Sequence, residues 1–371
     1  MKIFFDYQTF HYHRFGGISK YFIHLFEEFE LMSDIDFNLG LKSSPNEHLK
    51  LYDNQYYYDE SNVSFGLVLK LKKKWLEMQN RKKSIRELKK ENYDLFHPTY
   101  YDPYHVRYNR KPLVVTVYDM VHERFADKFT FSDHKTIEWK KLVCEKATKI
   151  IAISESTKND LIEILKIPTE KIDVIHLAVK DLSSYKTDTV FSLKIPQKYI
   201  LYIGNRGLYK NFNNFIHAIA PILKEDDQMK LVCTGPDFNL KELQYINDLG
   251  VYGDQLIHLF PNDDEMNNLY QKAQIFVFPS LYEGFGLPIL EAFSVGCPVV
   301  MSNTSSLPEV GGEAAAYFDP YSINEMRIKI KNILYNKAKQ SEMIELGKKR
   351  VKKFSLEKTA QKTLHAYKCL I

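Results

Sequence analysis

Two carboxylates, Glu283 and Glu291, bracket a glycine-rich stretch, Gly284-Phe285-Gly286-Leu287-Pro288-Ile289-Leu290. The apolar run from Ile275 to Phe278 ahead of it reads as a buried strand of a parallel sheet. Pro288 suits the first turn of a helix, where a missing N–H costs nothing. The segment is therefore strand, loop and helix start. In open α/β sheets ligands bind beyond the carboxyl ends of the strands, and helix starts attract anions. Gly284 and Gly286 let the N–H groups of the loop, from Gly284 to Leu287, come close to a ligand. A carboxylate repels phosphate but accepts well from sugar hydroxyls. The implied ligand has an anionic middle and hydroxyl-rich ends, as a nucleotide sugar does.

A second charged loop, Gly204-Asn205-Arg206-Gly207-Leu208-Tyr209-Lys210, follows the strand-like Tyr199–Ile203. Cations fixed there would offset the charge that builds on a departing nucleoside diphosphate, and one such group is worth about 3 kcal/mol. Arg206 offers a two-pronged grip and Lys210 a compact charge. Near the N-terminus, Gly16 and Gly17 lie between a strand and a helix, where exposed N–H groups suit a phosphate or a closely approaching acceptor. A Gly-Gly pair is also an ordinary turn. No Gly-x-Gly-x-x-Gly with a suitable acid follows, so a nicotinamide site is not supported.

The strand Leu113–Val117 runs into Tyr118-Asp119-Met120-Val121-His122. Here His122 is either a ligand-facing group or a structural histidine, and Asp119 a contact or a loop cap. His97, in Phe96-His97-Pro98-Thr99-Tyr100, closes another strand-like segment and with Tyr100 could line an acceptor site. Asp34-Ile35-Asp36 has the spacing of a metal-binding acid pair, but it precedes a strand far from the other motifs. No His or Cys cluster has ligand spacing, so neither metal nor cofactor is expected.

Alternating strands and helices must position these loops. In the C-terminal half the strands are Tyr199–Ile203, Lys230–Thr234, Leu256–Phe260, Ile275–Phe278, Pro298–Ser302 and Ala315–Phe318. In the N-terminal half they are Ile3–Phe5, Phe37–Leu41, Leu113–Val117, Ile150–Ile153 and Val174–Leu177. Such spacing predicts α/β architecture with doubly wound parallel sheets. The Ser-, Thr- and Lys-rich stretch Lys180–Lys198 reads as a linker. The expected division is residues 1–185 and 186–355.

Composition narrows the classes. The chain has 371 residues, 44% hydrophobic, a length suited to two domains. No apolar run is long enough to span a bilayer, and the first residues lack the apolar core of a secretory signal, so a cytoplasmic protein is expected. Its four cysteines show no paired spacing. A formal charge of +4 is too mild to argue for nucleic acid. Between Val68 and Lys90 ten cations surround Val68, Leu71, Trp75, Met78, Ile85 and Leu88 at helical spacing. A basic amphipathic helix of this kind either rests on an anionic membrane surface or packs its apolar face on the core.

The Glu283-to-Glu291 segment resembles the Glu-x7-Glu signature of the retaining glycosyltransferases of family four, which adopt the GT-B fold. The resemblance continues through Cys297-Pro298-Val299-Val300 and Leu307-Pro308-Glu309-Val310 and extends over most of the chain. It implies two Rossmann-like domains facing one cleft, with a last helix within 356–371 crossing back to the N-terminal domain. It implies donor-sugar contacts at Glu283, ribose contacts at Glu291, and Arg206, Lys210 and Asn205 near the diphosphate. Gly16 and Gly17 match the family's glycine loop. Many relatives carry histidine where this chain has Tyr118, which leaves to His122 the role of reaching the donor sugar or its departing phosphate. The segments Phe-Gly-Gly-Ile-Ser-Lys-Tyr and Phe-His-Pro-Thr-Tyr-Tyr are similar to those of bacterial mannosyl- and rhamnosyltransferases of O-antigen or capsule synthesis. GDP-mannose and a lipid-linked glycan are the substrates this implies. An epimerase or phosphorylase on the same fold, or a non-catalytic scaffold, are the alternatives.

Overall fold

The computed structural model describes residues 1–59, 66–128, 131–180, 195–251 and 253–371. The chain divides into two compact units, Met1–Ala178 with Leu356–Ile371, and Val179–Ser355. Most of the expected linker, residues 181–194, lies outside the described residues.

The N-terminal unit is built on β1 (Lys2–Asp6), β2 (Asp36–Gly40), β3 (Leu95–His97), β4 (Val114–Val117), β5 (Lys149–Ala152) and β6 (Ile172–Val174). They form two parallel three-stranded sheets, β2-β1-β3 and β4-β5-β6. A single parallel bridge between Phe96 and Leu113 joins them. Runs such as Ile3-Phe4-Phe5 and Val114-Val115 are buried on both faces, which is why they read as unbroken apolar stretches. The last strand forms earlier than Val174–Leu177, because Ile172 to Val174 pair with Ile150 to Ala152 and the chain then leaves the sheet. Much of the Phe content serves this core: Phe26 stacks on Phe37 at 4.8 Å and meets Phe5 edge-on at 4.9 Å.

The helix Leu356–Lys368 belongs to this unit although it ends the chain. Thr359 Oγ1 donates to the His176 carbonyl at 2.9 Å, and Lys368 pairs with Asp34 at 2.9 Å. Asp34 is thus committed to a lysine. Among the described residues no group of three His, Cys, Asp or Glu is arranged to hold a metal ion.

The helix Gly66–Lys90 packs by only the C-terminal end of its apolar stripe. Its inward face carries Leu76, Asn80, Ser84 and Leu88, all buried. Asn80 Oδ1 accepts from the N–H groups of Lys42 and Ser43, and Ser84 Oγ donates to Gly40 O at 2.7 Å. The loop after β2 offers backbone groups that only polar side chains can satisfy, so hydrogen bonding sets the rotation of the helix. Val68, Leu71, Trp75 and Met78 consequently face outward.

The C-terminal unit has β7 (Tyr199–Tyr202), β8 (Lys230–Thr234), β9 (Leu256–Leu259), β10 (Ile275–Phe278), β11 (Val299–Ser302) and β12 (Ala315–Phe318). All pairings are parallel, in the order β12-β11-β10-β7-β8-β9. The chain reverses direction across the sheet between β7 and β10, the position where open α/β sheets bind ligands. Helix Phe212–Glu225 buries Phe212, Phe215, Ile216, Ile219, Ile222 and Leu223 at helical spacing, fixing the loop before it. Cys144, Cys233 and Cys297 are buried free thiols and Cys369 is exposed.

Candidate active site

The loops leaving β7 and β10 are tied together. Leu281 N–H donates to Tyr209 O at 2.7 Å, and Asn211 Nδ2 donates to Pro279 O at 3.0 Å and Pro320 O at 2.8 Å. Asn211 takes a left-handed conformation (φ 58°), which asparagine tolerates better than most residues. This joint brings Lys210 onto Glu283, with Nζ 2.6 Å from Oε1. Ser280 Oγ donates to the same oxygen at 2.5 Å.

Beyond Glu283 the backbone is fixed from the β11 side. The Glu283 N–H donates to Ser305 Oγ at 2.9 Å, and Ser306 Oγ lies 2.9 Å from Glu283 O and 2.8 Å from Phe285 O. Ser305 itself has φ 50°, a strained geometry held in place beside the loop. Gly286 caps the helix Leu287–Ser294 at φ 119°, and a Cβ there would sit 2.8 Å from Ile289 Cδ1. Only glycine fits. Glu291, on the second turn of that helix, accepts from Tyr270 OH at 3.0 Å. Burial, and then the Glu291 carboxylate beside it, push the Tyr270 phenol well above its usual range. Cation, carboxylate, helix start and second carboxylate therefore share one strand-order reversal.

Arg206 is oriented differently from the sequence expectation of a ligand-facing grip. Its side chain is only 3% exposed, with Nε 3.0 Å from Glu242 Oε1. Nη2 donates to the carbonyls of Pro236 and Asp237 at 2.6 and 2.7 Å, and the guanidinium lies 3.9 Å over the Phe238 ring. A carboxylate, two carbonyls and an aromatic face satisfy a guanidinium better than an open loop does. Nη1 alone is buried without a hydrogen-bond partner. Asn205 Oδ1 accepts from the Gly207 N–H and shapes the turn.

Sequence reasoning missed Ser280, Ser305, Ser306, Tyr270 and Glu242. The pattern Asn239-x-x-Glu242 is a capping box, which the structure contains, and it could have marked a helix start beside Arg206. The distant Ser305 and Ser306 carried no such signal.

The remaining sequence candidates lie in the N-terminal unit. Gly16 caps helix Gly17–Glu30 at φ 151° with open space where a Cβ would be. Asp119 Oδ1 accepts from the Val121 N–H, the loop cap anticipated as one option, and His122 sits in the short helix Val121–Arg124. A fully buried Lys140 underlies this turn, donating to Asp119 O and to Glu123 Oε2 at 2.9 Å each. Tyr100 packs on Tyr101 at 4.7 Å. His97 is wholly buried, with Nδ1 2.5 Å from Tyr367 OH and Nε2 3.0 Å from Thr116 Oγ1. Burial lowers it to about 3, so it is a neutral link between β3, β4 and the C-terminal helix.

Two family models match the chain: Glycosyltransferase Family 4 over residues 44–181 and Glycosyl transferases group 1 over residues 186–350. The chain belongs to these glycosyltransferases. It is 32% identical over 238 residues to the O-antigen chain mannosyltransferase B of Escherichia coli, covering 61% of this chain and 62% of that protein. It is also 32% identical over 239 residues to the serotype-specific mannosyltransferase WbdA of Escherichia coli, of which that stretch is 29%. The chain thus spans less than two thirds of either relative. In fold it is similar to Anabaena HepE solved with UDP and glucose, with a TM-score of 0.72, 16% identity and 98% of each chain covered. The fold is GT-B.

Proposed function

We propose that the chain transfers a hexose, with retention at the anomeric carbon, from a nucleotide-diphosphate sugar to a hydroxyl of a lipid-linked or surface glycan. The observation that carries this reading is the meeting of Lys210 and Glu283 at 2.6 Å beside the helix start at Gly286. Lys210 and the N–H groups opening helix Leu287–Ser294 would take the diphosphate, and Glu283 would turn to the sugar hydroxyls. Glu291 would hold the ribose, with Tyr270 orienting it. Arg206 would offer Nη1 to a phosphate oxygen and hold the Pro236–Phe238 loop with its other nitrogens. Gly16 and Gly17 would meet the donor diphosphate, His122 would reach the donor sugar or its departing phosphate, and Tyr100 is the candidate for the acceptor side.

No carboxylate is left over as a covalent nucleophile in this scheme. The bond from C1 to the phosphate oxygen breaks as the acceptor oxygen bonds C1 on the same face. The acceptor proton passes to the departing diphosphate. Lys210 supplies the positive charge that a metal would otherwise bring, so transfer should continue in excess EDTA.

The names of the E. coli relatives favour mannose, and GDP-mannose is the donor we propose. The chain would act as a peripheral protein on the cytoplasmic membrane face. A panel of nucleotide sugars in a thermal-shift assay, followed by product anomer analysis by NMR, tests the reading. A shift with GDP-mannose and an α-linked product are expected. No shift with any nucleotide sugar would favour a scaffold instead.

A further inference from the structure

The outward face of helix Gly66–Lys90 has an order that neither the core nor the donor site explains. Val68, Leu71, Trp75 and Met78 recur at spacings of three and four residues and are 53, 60, 51 and 43% exposed. The same spacing continues through Lys82, Arg86 and Lys89, all exposed. One face is thus apolar for its first turns and cationic for its last. Lys70, Lys73 and Lys74 are exposed beside the apolar part, and Lys42 Nζ lies 5.9 Å over the Trp75 ring.

The packing face is made by other residues, Leu76, Asn80, Ser84 and Leu88, so the stripe is surplus to folding. The two acids within the helix are engaged: Glu77 accepts from Tyr12, and Glu87 pairs with Lys90 at 2.8 Å. A contiguous exposed apolar stripe marks a contact surface. Its composition narrows the occupant. A second copy would bring two lysine rows face to face, which is repulsive. Tryptophan beside lysines is what a bilayer interface selects, where the ring sits at the headgroups and cations meet anionic phosphates.

We infer that this face is a docking surface for an anionic membrane, with Leu71, Trp75 and Met78 entering the headgroup region and Lys82, Arg86 and Lys89 holding lipid phosphates. The chain has two tryptophans, so a Trp139→Phe background leaves Trp75 as the sole reporter. In that full-length protein, phosphatidylglycerol-containing vesicles should blue-shift Trp75 emission and co-sediment the chain at low salt. Pure phosphatidylcholine vesicles should do neither, and high salt should reverse the effect. The pairs Leu71→Glu/Met78→Glu and Lys82→Glu/Arg86→Glu should each lower vesicle affinity about tenfold or more with little change in thermal stability, because all four residues are exposed. The readout is lipid binding, so it stands apart from the transfer reaction. An unmoved Trp75 emission, or binding retained by both variants, overturns the proposal. Lipid-free dimers abolished by Leu71→Glu would assign the stripe to a second copy and overturn it too.

Discussion

At the ends of β7 and β10 the charged groups stay within reach of solvent: the Lys210 and Glu283 side chains keep 16% and 13% exposure. At the ends of β1 and β3 the N-terminal sheet also reverses strand order, yet there the Asp6 carboxylate is fully buried. Five donors surround it: Gln8 N and Nε2, Thr99 N and Oγ1, and Tyr104 OH. Burial still pushes its carboxyl above the ordinary range. One reversal point is stitched shut by its own donors, the other is held open with a carboxylate met by one lysine and one serine. A crevice made by topology becomes a ligand site only where the protein leaves charge incompletely surrounded. Substitutions at matched positions should separate the two cases.

The largest effect should be Lys210→Ala, a fall in kcat of about two orders of magnitude with little change in melting temperature. Arg206→Ala should lower activity comparably but also destabilise by about 2 kcal/mol, since Glu242 and two carbonyls lose their donor. Steady-state kinetics beside urea titrations distinguish the pair. Equal, unperturbed stability in both variants would remove the structural role assigned to Arg206.

Asp6→Asn should do the reverse, costing about 2–3 kcal/mol because an amide nitrogen then faces a donor inside a closed shell. Glu283→Gln should leave stability nearly untouched while impairing transfer, with nucleoside diphosphate still bound. Glu291→Ala should weaken nucleotide binding as well as turnover. Calorimetric titration with GDP checks this division, and equal affinity losses at Glu283 and Glu291 would break it.

The open reversal point was legible in the sequence because its parts are local: an apolar strand, glycines, a proline and two acids within one loop and helix. The closed one was not. Asp6 finds Thr99 and Tyr104 at sequence separations of 93 and 98, and nothing in Phe5-Asp6-Tyr7 announces them. Most strands were readable to within a residue, since buried parallel strands are continuous apolar runs, but β6 shares only Val174 with the stretch expected for it. The rotation of helix Gly66–Lys90 was not readable, because hydrogen bonds from Asn80 and Ser84 outweighed the stripe that periodicity favours. The partner that holds Arg206 was not readable either, since Glu242 lies 36 residues on.

The smallest effect concerns acid and should be confined to the stitched unit. Burial lowers both His97 and His105 to about 3 from the ordinary 6.5. Both are neutral when folded, whereas the unfolded chain protonates them below about pH 6.5. Above that pH they contribute no slope; as pH falls from 6.5 toward 3 each removes stability, at up to about 1.4 kcal/mol per pH unit. The two differ in partners. His97 joins Tyr367 and Thr116, while neither ring nitrogen of His105 has a hydrogen-bond partner. His105→Phe should therefore flatten the acid slope at little cost at pH 7. His97→Phe should flatten it equally but destabilise at every pH by about 1–2 kcal/mol, because two buried hydroxyls lose their partner. Both tryptophans, Trp75 and Trp139, lie in this unit, so urea melts followed by tryptophan emission at pH 7, 6 and 5 report on it alone. An acid slope in His105→Phe as steep as in the wild type would show that another group governs the acid sensitivity of the N-terminal unit.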